Sequence, residues 1–281
     1  MNFFDNQIDL KAYLSEISDA KSSIGFVPTM GALHAGHLSL MKQSLLENSI
    51  SVVSIFVNPT QFNNQHDLEK YPRTLENDLK IIKSLSEKII VYAPTVEDIY
   101  ENNITSTHFD FDGLEQQMEG KFRHGHFDGV GTVVKKLFEI VLPTKAYFGE
   151  KDFQQLQIIK KLVEKNNLGV EIIGCPIARE PNGLAMSSRN ERLSANEKQA
   201  ASIIFETLEK AKKQFQKLPI QAVKDMVTKT FSTNSTFKLE YFEIADEATL
   251  KSLHPKSPRK QYRGFIAVFC GNVRLIDTMK F

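Results

Sequence analysis

The chain has 281 residues, more than an ordinary single domain, so one large domain or two unequal ones are expected. Lys and Arg number 35 against 34 Asp and Glu, a formal charge of +1, and 41% of residues are hydrophobic. That is material for a core, without the basic excess of a protein whose work is gripping a nucleic-acid backbone. No stretch nears the roughly 18 apolar residues needed to span a bilayer, and the start, Met1-Asn2-Phe3-Phe4-Asp5, has no signal-peptide character. The expectation is a cytoplasmic protein with neither a membrane nor a nucleic-acid partner. Cys175 and Cys270 lie in apolar surroundings and form no CxxC, which predicts two buried reduced thiols and neither a disulfide framework nor a zinc site.

In chain order, apolar clusters predict strands at 23–27, 50–57, 88–92, 146–148 and 170–174. Segments of helical period lie between them at 38–46, 75–85, 130–142 and 153–163. The early strands are near-continuous apolar runs, as expected where helices cover both faces of a parallel sheet. After Pro176 the rhythm changes to helices at about 195–215 and 220–231, then alternating strands at 238–244, 264–270 and 273–278. The fold class expected is therefore α/β, a Rossmann-like doubly wound parallel sheet over residues 1–176. A smaller C-terminal α+β domain follows over 177–281.

Four clusters carry chemistry. The first, Pro28-Thr29-Met30-Gly31-Ala32-Leu33-His34-Ala35-Gly36-His37, joins a strand to a helix, where open α/β sheets bind ligands. Gly31 and Gly36 admit close backbone approach, and the helix start offers N–H groups to a phosphate. His34 and His37, three apart, face one side of a first turn and are placed to donate to a phosphate as its charge builds. Two surface histidines near a turn are the plain alternative; zinc would need a third ligand that the spacing does not supply.

The second cluster, Ile55-Phe56-Val57-Asn58-Pro59-Thr60-Gln61-Phe62, ends a strand with amides able to donate and accept, suited to a hydroxy acid or simply to turn chemistry. The third, Tyr147-Phe148-Gly149-Glu150-Lys151-Asp152-Phe153-Gln154-Gln155-Leu156, places the compact cation of Lys151 and a carboxylate at a helix start. Asp152 there suits a ribose hydroxyl or a helix cap. The fourth runs from Arg179 through Glu180-Pro181-Asn182-Gly183-Leu184-Ala185 to Met186-Ser187-Ser188-Arg189-Asn190. Its two hydroxyls and a guanidinium make a compact phosphate grip, although such triplets are common in loops.

His34-Ala35-Gly36-His37 is similar to the HxGH signature of the nucleotidylyltransferase superfamily. With the other clusters, in the same order, the chain resembles the pantothenate synthetase (pantoate–β-alanine ligase) family, and the likeness extends along its whole length. The resemblance implies an ATP-dependent ligase that joins pantoate to β-alanine through a pantoyl adenylate, releasing AMP and pyrophosphate in pantothenate biosynthesis. It places ATP on Met30, Gly31, Ala32, Leu33, His34, Ala35, Gly36 and His37, on Gly149, Glu150, Lys151 and Asp152, and on Ala178, Met186, Ser187, Ser188 and Arg189. His34, His37 and Lys151 would be catalytic, Gln61 and Gln155 would hold pantoate, and Gln61 would later hold β-alanine. ATP with Mg2+ is then a co-substrate and no prosthetic group is expected. Asp78 is a candidate for the metal, with a solvated helix residue as the alternative. The C-terminal domain would act as a cover, because an acyl adenylate hydrolyses in water. A homodimer is implied as well.

The chain departs from the family at His124, where proline is usual, at Ala178, where valine is, and at Asn182, often aspartate. Two other readings stay open at this level. One is an adenylyltransferase acting on a phosphorylated acceptor, although the Asn58–Gln61 turn is neutral. The other is a non-catalytic nucleotide-binding protein.

Overall fold

The computed structural model describes residues 1–101, 103–252 and 255–281. In chain order its first elements are β1 (Phe3–Phe4), α1 (Gln7–Ile17), β2 (Ile24–Thr29), α2 (Ala35–Glu47), β3 (Ile50–Ile55), α3 (Gln65–Glu69) and α4 (Leu75–Leu85). Then come β4 (Ile90–Tyr92), α5 (Val96–Tyr100), α6 (Met118–Phe122), α7 (His126–Val141), β5 (Lys145–Gly149), α8 (Phe153–Lys165) and β6 (Glu171–Cys175). The C-terminal part consists of α9 (Ala195–Ala200), α10 (Ser202–Phe215), α11 (Ile220–Ser232), β7 (Phe237–Asp246), β8 (Tyr262–Cys270) and β9 (Val273–Lys280).

These elements form two compact units. The larger comprises Met1–Glu115, Glu119–Gly149 and Gln155–Cys175; the smaller comprises Gln116–Met118, Glu150–Gln154 and Pro176–Phe281.

In the larger unit six strands, all parallel, lie in the order β1-β4-β3-β2-β5-β6. The apolar runs are buried as expected: Phe26, Val27, Val52, Val53, Val91 and Tyr92 are all wholly inaccessible. Each such side chain contributes roughly 1.5–3 kcal/mol on burial, which outweighs the low intrinsic stability of short parallel strands. Helix α7 buries twelve of its sixteen residues, and the other four, Asp128, Lys135, Lys136 and Glu139, are charged and partly buried or exposed, so it is amphipathic with a wide apolar face. The order of the strands reverses at β2, which has β3 on one side and β5 on the other. At such a switch point the crevice beyond the strand ends is where open α/β sheets bind ligands. β2 ends at Thr29 and β5 at Gly149, each adjoining one of the sequence clusters. The short edge strand β1 and the helix α1 were not legible in the sequence.

In the smaller unit β7, β8 and β9 form an antiparallel sheet with β8 in the middle. Helices α10 and α11 supply Ile204, Leu208, Val223 and Val227 to a core shared with Ile244, Ile266 and Val268. Gly271-Asn272 closes a two-residue hairpin, and Gly271 takes the φ of +54° that this turn requires. The single helix expected over 195–215 is two, interrupted at Ala201, which is wholly buried. Neither Gly nor Pro is present, and Ala201 itself keeps right-handed helical angles, at φ −67° and ψ −8°.

Cys175 and Cys270 are both free and buried. Burial pushes the Cys270 thiol up to about 11, and the neighbouring Glu197 adds to the shift, so it stays protonated and unreactive at neutral pH. Among the described residues no helix is long and apolar enough to cross a membrane.

Candidate active site

His34 is the N-cap of α2, with an extended backbone at φ −137°. Its Nδ1 accepts from the Gly36 N–H at 3.1 Å, while the Nδ1 of His37 accepts from the His34 N–H at 3.3 Å. This is a capping box in which imidazoles replace the usual hydroxyl and carboxylate. The ring centroids lie 4.0 Å apart. Because both Nδ1 atoms act as acceptors, the hydrogen-bond pattern assigns the proton of each neutral ring to Nε2. Two Nε2–H donors at the start of a helix suit an oxyanion, which the helix N-terminus also favours.

The loop leading into this cap is strained. Gly31 has φ +80° and Ala32, which has a Cβ, has φ +49°. A non-glycine residue in this region costs of order 1–2 kcal/mol and persists only where its surroundings hold it. Here the holder is Asp78, in the first turn of α4 and wholly buried. Its Oδ2 accepts from Ala32 N–H at 2.9 Å and from Thr74 Oγ1 at 3.2 Å, and its Oδ1 from Leu33 N–H at 2.8 Å. Ala32 and Leu33, both expected among the ATP contacts, thus give their backbone N–H groups to a carboxylate of the chain itself. Asp78, expected at the metal or as a solvated helix residue, is not solvated, and both of its carboxylate oxygens hold the loop. Among the described residues no three His, Cys, Asp or Glu side chains converge as a metal cluster.

At the end of β3 the turn Pro59–Gln61 is capped by Asn58, which is 1% exposed. Its Oδ1 accepts from Thr60 Oγ1 at 3.2 Å and from the Tyr100 hydroxyl at 2.6 Å. Its Nδ2 donates to Gln61 Oε1 at 3.3 Å and to the Gly129 carbonyl at 3.2 Å. Asn58 is therefore fully occupied in fixing the turn, and it is Gln61 that it orients. Burial pushes the Tyr100 phenol up, which keeps it a donor. Gln61 Nε2 lies 2.7 Å from Met30 Sδ, and the Gln61 carbonyl is 2.8 Å from Nδ1 of the buried His126. The turn carrying Gln61 is thereby tied to the loop before the histidines and to α7. Gln155, on α8, is half-buried.

Of the remaining expected ATP contacts, Gly149 ends β5 in the larger unit and the others belong to the smaller unit. Glu150–Asp152 form a single tight turn, with Lys151 Nζ 3.5 Å from the Asp152 carboxylate. Ser187 caps the turn Ser188–Arg192, its Oγ accepting from Arg189 N–H at 3.3 Å, and Ser188 is buried. The segment before it is fastened by Arg179, whose guanidinium grips Asp277 with both nitrogens at 2.6 and 3.0 Å and donates to the Gly183 carbonyl at 3.0 Å. Burial pushes the Asp277 carboxyl upward while Arg179, and the charge of Lys151, pull it down. Ala178 contributes its carbonyl to Met186 N–H at 3.0 Å. Asn182 Nδ2 donates to the Lys198 carbonyl at 2.9 Å, a bond that the aspartate common in the resembled family could not make.

Tyr100, His126 and Asp277 escaped the sequence reading as site residues, and Arg179, which heads the fourth cluster, was given no role there. All act through other residues, and each is brought to its partner by packing between distant parts of the chain. The sequence does mark Asn58 and Asp78, but only the structure decides what their polar atoms hold.

Residues 2–280 match the profile of the family described as pantoate-beta-alanine ligase. A pantothenate synthetase from Flavobacterium psychrophilum is 62% identical over 279 residues, covering 99% of both chains. The crystal structure of pantothenate synthetase from Thermus thermophilus has a TM-score of 0.91 at 34% identity, covering 100% of this chain and 99% of that one. That of pantoate-beta-alanine ligase from Francisella tularensis, in complex with beta-gamma ATP and beta-alanine, has a TM-score of 0.82 at 37% identity, over 100% and 97%. Its capped histidine pair, its Gln61 turn and its full-length match together make this chain a member of the pantoate–β-alanine ligase family.

Proposed function

We propose that this chain condenses pantoate with β-alanine to pantothenate using ATP. The observation that carries the reading is the 62% identity, over 99% of both chains, to a pantothenate synthetase. In the first step a pantoate carboxylate oxygen attacks the α-phosphorus of ATP and the bond to pyrophosphate breaks, giving pantoyl adenylate. In the second the β-alanine amine attacks the activated carbonyl, the bond to AMP breaks, and the nitrogen loses a proton. No protein nucleophile is required, so alignment and charge stabilisation supply the rate.

His34 and His37 present Nε2–H to the α-phosphate. Lys151, Ser187, Ser188 and Arg189 hold the phosphate chain, and Gln61 and Gln155 orient pantoate, with Gln61 turning later to β-alanine. The geometry supports these roles in three ways: both imidazoles are locked in one tautomer, Gln61 is oriented by Asn58, and the Ser187 turn is fastened through Arg179. Magnesium belongs with ATP's own oxygens and water, since both oxygens of Asp78 serve the loop. The smaller unit would act as the cover over the adenylate. A homodimer in the cytoplasm completes the reading.

The test is product analysis with a panel of acids and amines. Pyrophosphate exchange into ATP that requires pantoate, and AMP release that requires pantoate and β-alanine together, are the expected results. A dinucleotide product without AMP would assign the chain to adenylyl transfer instead, and the absence of exchange with every acid tried would leave it a nucleotide-binding protein.

A further inference from the structure

Arg263 is a guanidinium in a strand that is otherwise apolar. It lies on β8 and its side chain is 4% exposed. Nε donates to Glu247 Oε1 at 2.8 Å and Nη2 to Glu150 Oε2 at 3.0 Å. The guanidinium carbon lies 3.9 Å from the centre of the Phe153 ring, which also packs against Phe265 with ring centroids 6.1 Å apart. Glu150 and Phe153 bracket Lys151, one residue before it and two after.

Burying a charge is expensive, and a paired buried charge often stabilises a fold no better than apolar residues of the same volume. A guanidinium kept in this position therefore points to a requirement for geometry. The geometry it imposes is specific: a planar fork pairs with one carboxylate on each side and its face stacks on a ring, which an ammonium could not reproduce. Lys151, by contrast, is a point charge on a flexible stem, and its Nζ reaches a defined place only if the turn beneath it is fixed.

We propose that Arg263 is a positioning residue for Lys151. By gripping Glu150 and stacking on Phe153 it fastens the turn Glu150–Asp152 to the β8–β9 hairpin. The same hairpin, through Asp277 on β9, fastens Arg179 and the segment leading to Ser187-Ser188-Arg189. One antiparallel pair of strands thus carries every cationic group assigned to the phosphates, and Lys151 shares its anchor with them although it follows a strand of the parallel sheet.

The inference rests on Lys151 being a phosphate contact, and a double-mutant cycle separates the two claims. The probe is β,γ-imido ATP with Mg2+, titrated calorimetrically into the folded proteins K151A, R263Q, F153L and the doubles R263Q/K151A and F153L/K151A. K151A and R263Q are each expected to weaken binding on the order of tenfold, the scale of losing one charged hydrogen-bonding partner. F153L, which removes only the stack, should weaken it less. Each double should bind no worse than K151A alone, because Arg263 and Phe153 act through the lysine. Additive losses would overturn the proposal and leave Arg263 a structural residue. Unchanged binding by K151A would remove Lys151 from the phosphates, and the proposal with it. If R263Q does not fold, F153L completes the cycle with the same two outcomes.

Discussion

His37 sits at the third position of α2, where Nδ1 is occupied by the backbone of His34 and Nε2 carries the proton. The two nitrogens can be separated by substitution. Asn places an oxygen where Nδ1 stands and keeps the cap, but it offers nothing at Nε2; Gln reaches the Nε2 position. H37N is expected to leave the thermal midpoint nearly unchanged while slowing single-turnover pantoyl adenylate formation by about 10²-fold, the scale of one preorganised donor. H37Q should recover part of that loss. Full activity in H37N would reduce His37 to a helix cap. Asp78 poses a similar choice between two roles. D78N turns an amide N–H toward one of two loop N–H groups, leaving a buried donor unmet at a cost of about 1–3 kcal/mol. The thermal midpoint and the adenylation rate should both fall, while the Mg2+ concentration giving half-maximal rate stays where it was. A shift of that midpoint to higher Mg2+ would return Asp78 to the ion.

At the scale of elements, the turn Pro59–Gln61 and helix α7 meet at Gly129. A Cβ there would collide with the backbone of Thr60 and would lie 2.7 Å from Gln61 N, and backbone cannot step aside as a flexible side chain can. Gly129 also supplies the carbonyl that receives Asn58. G129A is therefore expected to push the Gln61 turn away from α7. The KM for pantoate should rise several-fold, with the KM for ATP little changed, in steady-state pyrophosphate exchange. An equal rise in both would show general damage to the fold and remove Gln61 from the pantoate contact. The strained loop at Gly31 and Ala32, just after β2, is packed as closely: a Cβ on Gly31 would lie 3.0 Å from Asp78 Oδ2 and 3.2 Å from Ile55. Elements meet there without room to spare, and the polar atoms of Asn58 and Asp78 are used to hold backbone.

For the whole molecule, the homodimer proposed above has a direct test. Sedimentation equilibrium at micromolar concentration should give twice the chain mass, and a species of one chain mass would set this member apart. The sequence by itself determined the layered α/β class, the five longer parallel strands, the later switch to a smaller α+β region, and the four clusters with the family they resemble. These were legible because apolar periodicity and turn residues act locally, and because chemical motifs are contiguous in the chain. The tertiary structure decided what contiguity cannot show. It placed Asp78 under a loop more than forty residues away and brought Tyr100 to Asn58. It also set Arg263, just outside the strand that its sequence predicts, against Glu150 across more than a hundred residues. Each of these rests on a polar or small group whose partner is chosen by packing, and burial makes an unpaired polar group too costly to leave alone. A motif names the groups that meet the substrate; the residues that aim them are dispersed along the chain and meet only when it folds.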